Sequence, residues 1–303
     1  MISLFQQQFV QNAFLAGTIV ALISAIIGYF VVLRAQAFAS DSLSHIGFAG
    51  STGGPLFGLS SLIGMFMLTM LSALGIGALG ERVRGRDVET GMVLAFALGL
   101  GVLFTGLYAS GGDASATVNA LFGSILSVTQ ANVLITGIAG VLVLVILAVL
   151  FRPLLFASID PEVAQARGIP LRLFSILFLL LLAATIAIAI QVVGALLVFA
   201  LLIAPAASAA RFTHRPFTTI ALSIVLGVAI TWLGLVLTVF GTGRYLPASF
   251  YIATLATLVY VVAFVASRWS TARRARLDGR VHSSHERLVG MNHHHCVQSE
   301  VER

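Results

Sequence analysis

The sequence is short of charge. Only 9% of its 303 residues are charged, whereas a soluble protein carries about 25%, and lysine is absent, so every basic side chain other than histidine is an arginine. At the same time 59% of the residues are hydrophobic. A chain of this composition cannot hide its apolar surface from water. It is therefore predicted to be an all-α integral membrane protein that crosses the bilayer several times.

Several motifs of catalysis and gating are also missing. The chain has no GxxxxGK[ST] phosphate loop, so we do not expect it to hydrolyse ATP by itself. It has no HExxH zinc-protease motif, no nucleophile supported by a histidine, no ladder of arginines and no selectivity-filter sequence. These absences leave a membrane-embedded hydrolase and a gated channel unsupported. The chain is expected not to be an enzyme.

The arginines indicate how the chain is oriented. A net charge of +6 is typical of nucleic-acid binding, but most of the arginines lie in loops between apolar runs and in the last segment, as the positive-inside rule expects. We therefore expect no nucleic-acid partner, an N-terminus outside and a C-terminus in the cytoplasm. No basic segment precedes the first apolar run, so no cleaved signal peptide is expected.

About nine crossings are predicted, since a span needs about 20 residues. They are residues 9–33, 37–56, 59–79, 91–108, 133–151, 173–191, 195–205, 217–240 and 248–267. The run 195–205 is too short for a full crossing unless it begins below the surface. The stretch 110–130 is rich in Gly and Ser with a short apolar centre, which predicts an outer loop with a re-entrant or interfacial helix.

The chain is predicted to have two parts, a transmembrane domain at 1–267 and a cytoplasmic, mostly disordered tail at 268–303. The arginines that begin the tail could hold anionic lipid headgroups of the membrane. A His/Cys cluster in the tail could bind metal weakly, and a low-complexity sequence without a function explains it equally well. The cluster comprises His282, His285, His293, His294, His295 and Cys296.

One ionisable pair stands within the predicted crossings. Asp41 and His45 are four residues apart, about one helical turn, so both side chains point from the same face. A carboxylate and an imidazole together can hold a divalent cation. Burying an ionisable group in hydrocarbon costs about 2.5–3.5 kcal/mol on insertion scales, which favours a functional role. The alternative is that the two residues only pair with each other, or lie at a helix end among the headgroups.

The depth of the pair suits a transport path. Asp41 follows Arg34 by about 10 Å along a helix and His45 follows it by about 16 Å. The hydrocarbon core is about 30 Å thick, so the pair lies near mid-depth if Arg34 marks the inner boundary. The surrounding serines and glycines let helices approach closely inside a bundle.

Four stretches, taken in order, resemble the permease subunits of bacterial ABC importers for zinc, manganese or iron. The resemblance runs from about residue 10 to residue 267. Its motifs are a D-x-x-x-H span with its lead-in, an L-F-G-[DS] stretch in the outer loop, a D-P-E-x-A-x-x-x-G-[VI] segment and a final apolar leg. They lie at residues 30–45, 121–128, 158–169 and 191–211.

The resemblance implies a type II permease, similar to cobalamin importers, in a bacterial cell membrane. It implies a homodimer of this chain, two cytoplasmic ATP-binding subunits and an extracytoplasmic metal-binding protein. The transported ion would be Zn²⁺, Mn²⁺ or Fe²⁺, with no resident cofactor, and Asp41 and His45 would line its path. Position 124 is Ser where many relatives have Asp, so a carboxylate of the outer loop is absent here.

The resemblance also implies contacts with the ATP-binding subunits. A docking segment carries over to about residues 204–216, and the helix at 158–169 is a second docking candidate. Their residues of interest are Pro205, Arg211, His214, Arg215, Asp160 and Glu162. For the basic residues, ordinary positive-inside topology is an equally good explanation.

The coordination of the ion is left open by the sequence. A twofold dimer could bring two Asp and two His to its axis, a set that Zn²⁺ accepts tetrahedrally and that Mn²⁺ would supplement with water or carbonyl oxygens. Alternatively, each chain could hold its own ion with two ligands and water. Two rival functions are a permease for iron chelates or cobalamin and a stand-alone secondary metal transporter or channel.

Overall fold

The computed structural model describes residues 7–79, 86–109, 121–123, 125–213, 215–240 and 247–269. Within these ranges the regular structure is helical throughout. Nine long helices are present there: α1 (Gln8–Leu33), α2 (Ala37–Leu56), α3 (Ser61–Leu79), α4 (Arg86–Ala109), α5 (Gln130–Ile159), α7 (Leu171–Val193), α8 (Ala195–Phe212), α9 (Pro216–Phe240) and α10 (Ala248–Trp269). A short helix, α6 (Pro161–Ala166), and a 3₁₀ turn at Ile125–Ser127 complete the described elements.

Eight of the long helices are long and apolar enough to cross a membrane, and α2 is the exception. The 20 residues of α2 include many serines and glycines as well as Asp41 and His45, which lower its hydropathy. Fourteen of those residues are buried by the rest of the chain. The other helices therefore shield α2, which does not need the apolar surface of a lipid-facing span.

The centre of the bundle is formed by α1 and α7. In the most apolar 18-residue stretch of each helix, the share that is buried by the rest of the protein is 67% for α1 and 61% for α7. The same share is only 17% for α4 and 22% for α5. The Phe30 ring of α1 packs on Phe178 of α7 and edge-on against Phe151 of α5. Gly28 brings α1 so close to the Leu202 carbonyl of α8 that a Cβ would not fit. Of the two central helices, α7 is the one that packs against α2, whose main neighbours are α3 and α4.

Two helices extend further than the sequence predicted. The crossing expected at 195–205 is wrong in length, because α8 continues through Pro205 to Phe212. Likewise α5 passes Arg152 and Pro153 and ends at Ile159, inside the segment expected to be cytoplasmic. A proline inside a helix removes one backbone hydrogen bond and usually kinks or ends the helix. Here the buried side of Pro205 packs near Gly227 of α9, and the helix continues.

The short helix α6 lies within the helix expected at 158–169, and its own residues mark its start and end. The Asp160 carboxylate accepts a hydrogen bond of 3.1 Å from the Val163 N–H, as an N-cap does. Pro161 occupies the first turn, with Glu162 beside the positive end of the helix dipole. Gly168 follows the last turn with φ +78°, a left-handed conformation that glycine adopts without strain.

The contacts divide the chain into two compact units, residues 1–260 and 261–303. Of the second unit the structure describes residues 261–269, which form the last turns of α10 and place the Arg268 guanidinium 5.0 Å from the Phe264 ring centre. The predicted tail beyond Trp269, with its His/Cys cluster, lies outside the described residues. A boundary between two domains at residue 267 stays a prediction.

Candidate metal site

Asp41 and His45 lie side by side on α2. The Nε2 atom of His45 is 3.7 Å from the Oδ1 atom of Asp41. This separation exceeds that of a hydrogen bond, so the two groups are close without being locked together. The Asp41 side chain keeps 30% of its surface exposed, and the His45 side chain keeps 24%. Both can therefore present lone pairs to a cation on the same side of the helix.

The pair occupies the one open position on its part of α2. From Ala39 to Gly54 every residue is buried except Asp41 and His45. The polar face predicted for this helix is thus a narrow strip, with protein packed against all other sides. Such a strip opens either to water or to a further protein chain, and it does not belong to the core of this one.

The serines around the pair serve the helix itself. Ser40 donates to the Ala37 carbonyl at 2.7 Å, Ser42 to the Phe38 carbonyl at 3.0 Å and Ser44 to the Ser40 carbonyl at 3.0 Å. Each of these hydroxyls bonds the backbone of its own helix. The Ser42 hydroxyl also lies 3.4 Å from the Thr90 carbonyl oxygen of α4, a second acceptor. The three serines are small packing residues, as the sequence indicated.

Glycines let three neighbouring helices approach α2 closely. A Cβ on Gly50 would lie 2.6 Å from the Gly64 carbonyl oxygen of α3, and a Cβ on Gly53 would lie 2.8 Å from the Phe104 ring of α4. Gly47 lies directly against Ile190 of α7. Because α3, α4 and α7 cover three sides in this way, the side with Asp41 and His45 is left as the open one.

A single chain offers two clustered side chains that could bind a metal ion. Among the residues that the structure describes, no group of three or more His, Cys, Asp and Glu side chains could hold a metal ion. Zn²⁺ takes four ligands, and Mn²⁺ usually takes more. Asp41 and His45 therefore need water, backbone oxygens or a second chain to complete the coordination of an ion.

The residues predicted to dock ATP-binding subunits differ from one another in their local contacts. Arg211, at the end of α8, donates a hydrogen bond of 3.2 Å to the Tyr260 hydroxyl and also stacks on that ring. The Arg215 N–H donates to the Thr213 hydroxyl just before α9. Pro205 is buried, so it positions the end of α8 and does not itself present a surface. His214 lies outside the described residues.

Asp160 and Glu162 are exposed at the start of α6. The following turn is anchored by Arg167, whose guanidinium lies 5.5 Å from the Phe156 ring centre of α5. Among the described residues, α6 is a short exposed helix fixed to the end of a long span.

Sequence reasoning missed one set of contacts. Gly123, in the L-F-G stretch, lies directly on the turn between α7 and α8 at Val193–Gly194, and the Phe122 carbonyl accepts a hydrogen bond from Ser249 of α10. The only local signal was a glycine after bulky residues in both Leu-Phe-Gly and Val-Val-Gly. That pattern predicts turns, but it does not say that two turns meet.

Comparison with known proteins gives consistent results. A family model described as "ABC 3 transport family" matches residues 6–267. "Manganese transport system membrane protein MntC" of Halalkalibacterium halodurans is 36% identical over 228 residues, which cover 74% of this chain and 77% of that protein. "High-affinity zinc uptake system membrane protein ZnuB" of Haemophilus influenzae is 32% identical over 229 residues, with 75% and 87% covered.

A solved structure matches most of the chain. "PsaBC from Streptococcus pneumoniae in complex with Fab" superposes with a TM-score of 0.76 at 28% identity, covering 87% of this chain and 95% of that one. The prediction of an all-α membrane permease of type II architecture is confirmed. Since the family model spans nearly the whole helical region, the chain belongs to the ABC 3 transport family.

Proposed function

We propose that this chain is the permease subunit of a bacterial ABC importer for a divalent metal ion, in which Asp41 and His45 line the path. The observation that carries the proposal is their position as the open pair on an otherwise buried stretch of α2. A carboxylate oxygen and an imidazole nitrogen suit Mn²⁺ and Zn²⁺. The names of the relatives, a manganese system and a zinc system, favour these two ions over iron.

The proposed assembly follows from what one chain lacks. Two copies related by a twofold axis would bring the same α2 strip to the axis from both sides, and together they would offer two carboxylates and two imidazoles. Two separate ATP-binding subunits on the cytoplasmic side would drive the cycle, and a metal-binding protein would deliver the ion outside. We also propose that the N-terminus lies outside and the C-terminus in the cytoplasm, as the arginine distribution predicts.

The coupling elements are proposed at the cytoplasmic ends of the helices. Movement of an ATP-binding subunit against α6 and the 204–216 segment would reach the path through α8, which packs on both α1 and α2. The contact of Arg211 with Tyr260 ties the end of α8 to α10. A push on this end would therefore move two helices together.

Metal uptake by the complete importer tests the proposal. We expect Asp41→Asn and His45→Gln, which keep the side-chain size, each to reduce Mn²⁺ or Zn²⁺ uptake to below about a tenth of wild type, because even outer-shell partners of a metal contribute 10–100-fold to its affinity. Ser40→Ala is the matched control, since Ser40 is adjacent on α2 and bonds only its own helix.

The outcome is decided by uptake at equal amounts of assembled complex. If both variants transport as wild type does, the pair is structural and the proposed path is wrong. Transport by the purified chain alone, without ATP-binding subunits, would instead indicate a secondary transporter.

A further inference from the structure

A long groove lies between α1 and α5, in the part of the bundle away from Arg34. It starts near the first turns of the two helices, where Gln8 donates a hydrogen bond of 3.4 Å to Gln130. It ends beside Ile23 of α1 and Leu144 of α5. Its volume of about 960 Å³ falls within the range of about 300–1,000 Å³ that is usual for pockets that bury a small molecule.

The groove forms because the two helices separate toward their first turns. A Cβ on Gly140 of α5 would overlap the Ile23 side chain of α1, so the helices touch at that level. About one turn earlier in α5, a Cβ on Gly137 would have the Ile19 side chain as its nearest neighbour, at 3.8 Å. The space above Gly137 is therefore open, and this glycine forms part of the floor of the groove.

The wall of the groove is aliphatic and exposed. Leu134, Ile138 and Val141 of α5 line it and are 61–65% exposed. Leu15 of α1 lines it as well and is 56% exposed. Only 22% of the most apolar stretch of α5 is buried, and the mean hydropathy of this stretch, 3.1, is the highest among the candidate spans. Such a surface is stable when hydrocarbon covers it and is unsuited to water.

A polar pocket adjoins the groove at its mouth. Its volume is about 470 Å³, and Asn12 and Gln130 line both cavities. The Asn12 amide donates a hydrogen bond of 3.3 Å to the Val128 carbonyl, which holds this side chain at the junction. The other polar residues around the pocket are Gln8, Ser127 and Thr129. Among the residues that the structure describes, the lining of both cavities offers amides and hydroxyls but no charged side chain.

The depth of the groove matches one leaflet of a bilayer. The rise from Asn12 to Ile23 along α1 is about 16 Å. Half of a hydrocarbon core of about 30 Å is about 15 Å. The polar pocket lies at the ends of both spans, where the headgroup region begins, and the aliphatic wall lies deeper. This order, with uncharged polar groups first and hydrocarbon next, is the order of the parts of a phospholipid.

We propose that the groove is a binding site for one phospholipid of the leaflet opposite Arg34. One acyl chain lies along the aliphatic wall, and the phosphate and ester oxygens accept hydrogen bonds from the amides at the mouth. A headgroup without net charge, as in phosphatidylethanolamine, suits a mouth whose described side chains are all uncharged. The lipid fills the gap between α5 and the central helix α1. Held between two helices, it exchanges more slowly than lipid on the exposed face of a single span.

A photoreactive lipid tests the site in the wild-type protein. The complete importer is placed in liposomes of phosphatidylethanolamine and phosphatidylglycerol that contain a phosphatidylethanolamine with a diazirine in its acyl chain. After irradiation, mass spectrometry locates the adducts. We expect adducts on the groove-lining peptides of α1 and α5 to exceed those on the exposed face of α4 several-fold. Equal labelling of these surfaces would indicate ordinary boundary lipid and would overturn the proposal.

Filling the groove provides a matched test. Gly137→Phe places a ring over the open floor, and its Cβ meets only an ordinary contact with Ile19. We expect it to lower the labelling of the groove several-fold and to reduce the phospholipid that stays bound after extraction in detergent. Gly99→Phe on α4 is the control, because Gly99 is exposed and a Cβ there meets nothing within 4 Å. It should label as wild type does, and the same result for Gly137→Phe would contradict the site.

A cysteine in the groove distinguishes lipid from a second copy of the chain. Cys296 is the only cysteine, so Leu134→Cys in a Cys296→Ser background places a single thiol on the wall. We expect a lipid-soluble maleimide to react with it in liposomes several-fold faster than a water-soluble one. A disulfide between two copies would show that protein covers the groove and would overturn the lipid site. Because these tests need neither metal nor ATP, their outcome is independent of the proposed metal path.

Discussion

At the scale of single residues, three glycines of α2 decide which of its faces its neighbours cover. The spacing of Asp41 and His45 predicts that both lie on one face, and the 3.7 Å between them agrees. Which face of α2 stays open depends on how α3, α4 and α7 pack. How closely these helices approach α2 depends on Gly47, Gly50 and Gly53. The residues around those glycines do not indicate which helix packs against each of them.

The close contact between α2 and α3 gives a prediction about stability. A Cβ on Gly64 would overlap the Gly50 carbonyl oxygen and lie 2.8 Å from the Gly54 Cα. Backbone atoms cannot yield as a flexible side chain does, so Gly64→Ala is expected to destabilise the protein by about 1–3 kcal/mol, as overpacking does. Thermal unfolding of the purified permease in detergent measures the loss as a lower midpoint.

The control for Gly64 lies on the same helix. A Cβ on Gly75 would meet nothing within 4 Å, so Gly75→Ala changes the helix propensity and not the packing. Its midpoint should equal that of wild type or exceed it. If Gly64→Ala and Gly75→Ala shift the unfolding midpoint equally, helix propensity determines the change in stability, and the contact with α2 does not.

At the scale of helices, local signals predicted α6 and failed for α8. Asp160, Pro161 and Gly168 mark the start and end of α6 through hydrogen bonding and backbone conformation that belong to the segment itself. The crossing predicted at 195–205 ends at Pro205, a residue of the type that usually breaks a helix. Packing of α8 against α1, α2 and α9 instead carries the helix to Phe212, and that support comes from distant sequence.

The N-cap of α6 allows a test of the docking role. Asp160→Ala removes the acceptor for the Val163 N–H and should cost about 1 kcal/mol of local helix stability. Hydrogen exchange of the α6 amides should become faster, and metal-dependent ATP hydrolysis by the complete importer should fall. Asp160→Asn keeps an N-cap acceptor and should preserve both. Faster exchange with unchanged ATP hydrolysis would mean that α6 does not transmit the coupling.

At the scale of the whole molecule, composition predicted a membrane protein because a chain with so little charge cannot hide its apolar surface from water. It could not show that α2, whose hydropathy falls short of that of the other eight long helices, is covered by other helices of the bundle. Nor could it show that the 121–128 segment meets the turn after α7. Both features arise from contacts between elements that are far apart in sequence.

The dimer proposed for this permease leads to a prediction that separates one shared ion site from two. If two Asp and two His bind one ion at the twofold axis, a dimer with one wild-type copy and one Asp41→Asn copy lacks one of four ligands and should lose nearly all uptake. If each chain holds its own ion, the intact half should keep about half of the activity. Two different affinity tags on the copies allow the mixed dimer to be purified and assayed in liposomes. We expect near-complete loss, because among the described residues each chain offers only two clustered ligands. As the control, a mixed dimer with one Ser40→Ala copy should transport as wild type does. If the mixed dimer with one Asp41→Asn copy keeps half of the wild-type uptake while this control keeps all of it, the two chains hold independent sites.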